Sequence, residues 1–99
     1  LSAFRKVFKY GRRRQDAYCS LLVVEDNPGG VAICLRRGPN AVTRNHMRRI
    51  TREALEHCMP AIKPGFAVVI FPSLALRQVT QEKRREFIQS ALRRAGRLS

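Results

Sequence analysis

The chain has 99 residues, 44% of them hydrophobic, and sets 20 lysines and arginines against 7 acids for a formal net charge of +13. That length suits one domain over residues 1–99 and excludes two, while the charge points to a polyanionic partner, nucleic acid ahead of an acidic membrane surface or an acidic protein. Three cysteines without a Cys-x-x-Cys pair exclude a disulfide framework, and no apolar run approaches the roughly 18 residues of a membrane span. The expected setting is therefore the cytoplasm, with no membrane contact and no obligate protein partner. Self-repulsion at this charge predicts that bound anions stabilise the fold by mass action.

Ser2 is placed to cap a short helix in which Phe4, Val7 and Phe8 recur at helical spacing, with Gly11 as its stop. Arg12, Arg13 and Arg14 form a charge run, read as a solvated connection or an edge strand. Residues 18–25 predict a strand with Tyr18, Ser20, Leu22 and Val24 on one face and Cys19, Leu21 and Val23 on the other. The turn signal Asp26-Asn27-Pro28-Gly29-Gly30 and the apolar residues 31–35 predict a hairpin partner for it.

Gly38 and Pro39 then break the chain before Asn40, which can cap a helix running to about Cys58. In that helix Arg44, Arg48 and Arg52 recur every fourth residue with Asn45 and Arg49 beside them, and Met47, Ile50, Ala54 and Cys58 fall opposite. One face suits a core. The other presents guanidinium groups, each able to bind phosphate through two parallel hydrogen bonds. Pro60 and Pro64-Gly65 mark turns, residues 66–71 form an unbroken apolar run closed by Pro72, and this predicts a buried strand. After a loop, Thr80 can cap a last helix with an apolar stripe of Phe87, Ile88, Ala91, Leu92 and Ala95, stopped by Gly96. The order predicts an α+β fold in which helices pack on a small sheet.

Groups for bond chemistry are sparse. Glu53 and Glu56, and Glu82 and Glu86, stand at spacings that serve pairing along a helix, and a two-metal site needs several convergent carboxylates. His46 and His57, eleven residues apart on one helix, would be separated by about 16 Å, too far to act on one phosphate. Cys19, Cys34 and Cys58 lack zinc spacing, and no Gly-rich phosphate loop occurs. No catalytic residue, metal ligand or protein-bound cofactor is predicted. Phe4, Phe8 and Tyr18 suit either core packing or a stacking platform for single-stranded bases beside Arg5, Lys6 and Lys9.

Arg36-Arg37, Asn40-Ala41-Val42, Arg44-Asn45, Arg48-Arg49 and Arg52-Glu53 together resemble the motif of the protein component of bacterial ribonuclease P. Phe4, Val7, Phe8 and Gly11 resemble that family's first helix and its stop, and Pro64-Gly65 before residues 66–70 resembles its last strand. The chain departs from the pattern at His46, the third position of the family's Arg-Asn-Arg signature, and at Pro39, where glycine is usual. The resemblance implies a ribosomal-protein-like sandwich of three helices on a four-stranded sheet, with a left-handed strand-helix-strand crossover where pattern rules alone expect a right-handed one. It also implies a function: an RNA subunit with magnesium removes the 5′ leader of precursor tRNA, and the protein subunit holds the catalytic RNA and touches the leader. By the same resemblance Arg36, Arg37, Asn40, Arg44, Asn45, Arg48, Arg49 and Arg52 contact the RNA subunit, and Phe4, Phe8, Tyr18, Ser20 and Leu22 line the leader cleft. The alternatives are a noncatalytic ribosomal or RNA-assembly module and an independent nuclease.

Overall fold

A computed structural model describes residues 9–15, 18–26, 29–35 and 40–98. Four strands, β1 (Arg12–Gln15), β2 (Cys19–Glu25), β3 (Gly29–Ile33) and β4 (Phe66–Pro72), form one sheet in the order β1-β2-β4-β3. Two α-helices occur among the described residues, α1 (Ala41–Cys58) between β3 and β4 and α2 (Gln81–Arg94) after β4. The helix predicted from Ser2 falls largely on residues 1–8, outside the described residues; Lys9 and Tyr10 carry helical backbone and Gly11 does not.

The predicted hairpin is not what forms. β2 pairs antiparallel with β4, from Cys19 opposite Pro72 to Glu25 opposite Phe66. β3 pairs with the far side of β4, in parallel, from Gly29 beside Phe66 to Ile33 beside Ile70. The physical reason lies in the apolar content of the strands. Ala67, Val68, Val69 and Ile70 are all at most 1% exposed, so β4 is covered on both faces and takes a central place, whereas β3 begins with two glycines and is only half-buried. Gly29 is required by close approach: its φ is +81°, and a Cβ there would collide with the Phe66 carbonyl. Asp26 N–H donating to the Gly65 carbonyl at 3.0 Å holds the same end of the sheet.

β1 is an exposed edge strand, antiparallel to β2 with Arg12 opposite Val23 and Gln15 opposite Ser20. Its three arginines suit an edge, where charge discourages pairing with another chain.

Both helices lie on one side of the sheet. Met47, Ile50, Ala54, Leu55 and Cys58 of α1 and Ile88, Ala91 and Leu92 of α2 pack with Cys19, Leu21, Val68 and Ile70. Burial of each large aliphatic side chain here stabilises the fold by about 1.5–3 kcal/mol. Leu22, Ala67 and Val69 are buried on the opposite side, with Val24, Cys34 and Phe71 beside them.

The helix boundaries follow local chemistry. Asn40 Oδ1 accepts from Thr43 N–H at 2.8 Å, and Thr80 Oγ1 accepts from Lys83 N–H at 3.2 Å, so each predicted cap forms. At the end of α2, Gly96 adopts φ +73° while its N–H donates to Arg93 O and Arg97 N–H donates to Leu92 O, the paired bonds of a Schellman motif. The segment read as a loop after β4 contains a 3-10 turn, Leu74–Gln78, that buries Leu76 completely.

Candidate nucleic-acid interface

The apolar stripe of α1 fixes which side of the helix meets solvent. Thr43, Met47, Ile50, Thr51, Ala54, Leu55 and Cys58 are buried, which leaves Asn45, Arg48, Arg49 and Arg52 exposed and Arg44 half-buried along the outer face. No acid occupies the first turn. Asn40 spends its side-chain oxygen on the cap, so its contribution to this face is to start the helix as well as to lie beside it.

The guanidinium groups of Arg44, Arg48 and Arg52 have no ion pair among the described residues. Glu53, an acid of the same helix, reaches away to Arg85 of α2 at 3.9 Å. Arg49 instead donates from Nη2 to His46 Nδ1 at 3.2 Å. Because a guanidinium has only donors, His46 Nδ1 is the acceptor in this contact. His46 thus orients Arg49 in this fold.

The basic face continues into a groove of about 330 Å³ between β3 and α1, lined by Val31, Ala32, Ile33, Arg48, Arg52, Leu55, Glu56 and Met59. Arg36 and Arg37, predicted to extend this surface, lie outside the described residues, as do Gly38 and Pro39.

On the opposite side of the sheet the structure brings Ser20 and Leu22 together but not Tyr18. Ser20 is half-buried and Leu22 buried. The Tyr18 ring stacks on Phe87 of α2 with centroids 4.0 Å apart and planes 6° from parallel, on the helical side. The expected common face of Tyr18, Ser20 and Leu22 is therefore corrected. Strand alternation begins at Cys19, and Tyr18 sits in the bend before it, where the period of two does not apply. Phe4 and Phe8 lie outside the described residues. A residue that the sequence reading did not assign joins this side: Arg13 is opposite Leu22 in the ladder and so shares its face. The edge-strand reading of the arginine run is the one that forms, and alternation along it, with the register to β2, places Arg13 here.

Among the described residues no group of three or more His, Cys, Asp or Glu side chains could hold a metal ion. The Cys58 thiol donates to the Leu55 carbonyl at 3.4 Å, and burial pushes its pKa up, opposed by a backbone hydrogen bond. That favours an inert, protonated thiol. No helix among the described residues is long and apolar enough to cross a membrane.

The sequence model of the ribonuclease P family matches residues 2–96. The ribonuclease P protein component of Xanthomonas euvesicatoria is 34% identical over 95 residues, which cover 93% of this chain and 65% of that relative. The corresponding protein of Natranaerobius thermophilus is 31% identical over 91 residues, covering 87% and 78%. The solved RNase P protein from Thermotoga maritima superposes with a TM-score of 0.78 at 26% identity, over 92% of this chain and 89% of that one.

Proposed function

The chain belongs to the ribonuclease P protein family, and we propose that it serves as the RNA-binding protein subunit of the cytoplasmic endoribonuclease that removes the 5′ leader of precursor tRNA. In this reading bond cleavage resides in the RNA subunit. Magnesium supplies charge neutralisation and nucleophile activation there, and the protein contributes docking and substrate contact. The observation that carries the proposal is the arginine row of α1, Arg44, Arg48 and Arg52, which has no ion pair among the described residues and stands opposite a buried face. Side chains so placed can each engage phosphate oxygens without first breaking an ion pair, and each contact releases condensed counterions.

Asn45, Arg49, and the Arg36-Arg37 pair extend the RNA-subunit contact, with Asn40 setting the start of the helix. The leader runs along the other side of the sheet, where Ser20 and Leu22 provide apolar surface and Arg13 provides charge, and Phe4 and Phe8 supply stacking to it as the family resemblance implies. Tyr18 supports that side from behind through its stack on Phe87. The crossover through α1 takes the family's left hand.

Reconstitution tests the reading. The protein is added to a bacterial ribonuclease P catalytic RNA and precursor tRNA at a magnesium concentration too low for the RNA alone. Restored 5′ maturation is expected. Cleavage by the protein without RNA, or binding to the RNA with no effect on maturation, would overturn the proposal.

A further inference from the structure

Where β1 begins, β2 ends and β4 begins, a cavity of about 490 Å³ opens among Tyr10, Arg12, Arg14, Glu25, Phe66 and Arg97. No residue of α1 lines it, so it is separate from the basic face already described. The ladder explains its charge. Arg12 lies opposite Val23 and Arg14 opposite Leu21, so both side chains leave β1 on the helical side, while Arg13 leaves on the other.

Arg97 reaches the cavity from beyond α2 and is held firmly. Its N–H donates to Leu92 O at 2.9 Å and its carbonyl accepts from Lys63 N–H at 2.7 Å. Its Nε donates to Ala95 O at 3.0 Å, and its guanidinium lies 3.6 Å from the Phe66 ring centroid. The result is a planar cation fixed on an aromatic face. Arg97 Nη1 is buried and has no hydrogen-bond partner among the described residues. Arg12 and Arg14 have no ion pair among the described residues, Glu25 included.

Three guanidinium groups against one carboxylate select an anion. The volume falls within the roughly 300–1,000 Å³ of small-molecule sites, more than a phosphate ion alone fills. Tyr10, 63% exposed, and the Arg97 and Phe66 stack add flat surfaces on which a base can lie. We infer that this cavity is a nucleotide-binding site, which takes one nucleotide unit with its phosphate between Arg12 and Arg14 and its base against Tyr10 and Arg97. The inference does not depend on the ribonuclease P reading, because its test contains neither catalytic RNA nor precursor tRNA.

Isothermal titration calorimetry of the chain at physiological salt compares AMP, inorganic phosphate and a short single-stranded oligoadenylate. Saturable AMP binding at one site is expected, at least about tenfold tighter than phosphate, and Arg12→Ala with Arg14→Ala weakens it by about tenfold or more. Removing the same charge elsewhere, Arg77→Ala with Arg93→Ala, changes it by less than about twofold if the sites are independent. Circular dichroism confirms that both double variants fold. Competition by the oligoadenylate assigns an RNA strand as the source of the nucleotide unit, and its absence assigns a free nucleotide. No saturable AMP binding, AMP no tighter than phosphate, or equal losses in the two double variants overturns the inference.

Discussion

α1 and α2 are both amphipathic and both rich in cations, yet they use those cations differently. On α2, Lys83 pairs with Glu86 at 3.2 Å, Arg85 approaches Glu53 at 3.9 Å, and Arg84 donates to the carbonyls of Leu76 at 2.7 Å and Arg77 at 3.2 Å. Arg84 thereby fastens the 3-10 turn to the helix. On α1 the row Arg44, Arg48 and Arg52 has no such partner among the described residues. Positive charge alone does not make a binding surface. What distinguishes the two helices is whether the chain's own acceptors have already engaged the donors.

That contrast yields graded outcomes. Arg44→Ala with Arg48→Ala should produce the largest effect, weakening binding to the catalytic RNA by about tenfold or more per residue, as expected for charge-assisted hydrogen bonds of roughly 1.5–3 kcal/mol each. The melting temperature should move little. Arg84→Ala should do the reverse, lowering stability by about 1–2 kcal/mol in urea unfolding while RNA affinity changes far less. If Arg84→Ala lowered affinity as much as the α1 variant, the distinction between arginines with and without an acceptor among the described residues would fail.

Asn40→Ala removes the cap from Thr43 N–H and should cost about 1 kcal/mol, with a partial loss of RNA affinity because the arginine row begins one turn later. Smallest of all, Glu53→Gln should alter stability by less than about 0.5 kcal/mol, since its pair with Arg85 is long and solvent-exposed. A large loss there would mean that Glu53 positions α2 more strongly than its 3.9 Å contact suggests.

The sequence was most legible where the signal is local. Asn40, the four-residue arginine period and the buried stripe from Met47 to Cys58 together locate α1, because a cap and a helical period depend only on neighbours in the chain. Thr80 and Gly96 locate α2 in the same way. Strand order was not legible, because Gly29 and Gly30 look like a hairpin turn until β4, more than thirty residues on, is known to fill the place between β2 and β3. Tyr18 was misplaced for a smaller reason, the start of strand alternation one residue later than its apolar pattern suggested. The cavity at Arg12, Arg14 and Arg97 was invisible in the sequence, since it joins the first described strand to the segment after the last helix.

The proposed RNA-docking surface is the arginine row of α1, which has no ion pair among the described residues. Its most direct test is the salt dependence of affinity for the catalytic RNA in three proteins: the unaltered chain, Arg44→Ala with Arg48→Ala, and Arg84→Ala with Arg85→Ala. The first double variant should make the slope of log affinity against log salt shallower by up to about 1.8 units, the value for two lost phosphate contacts on a duplex, and the second should leave it nearly unchanged. Equal slopes in the unaltered chain and the α1 variant would contradict the claim.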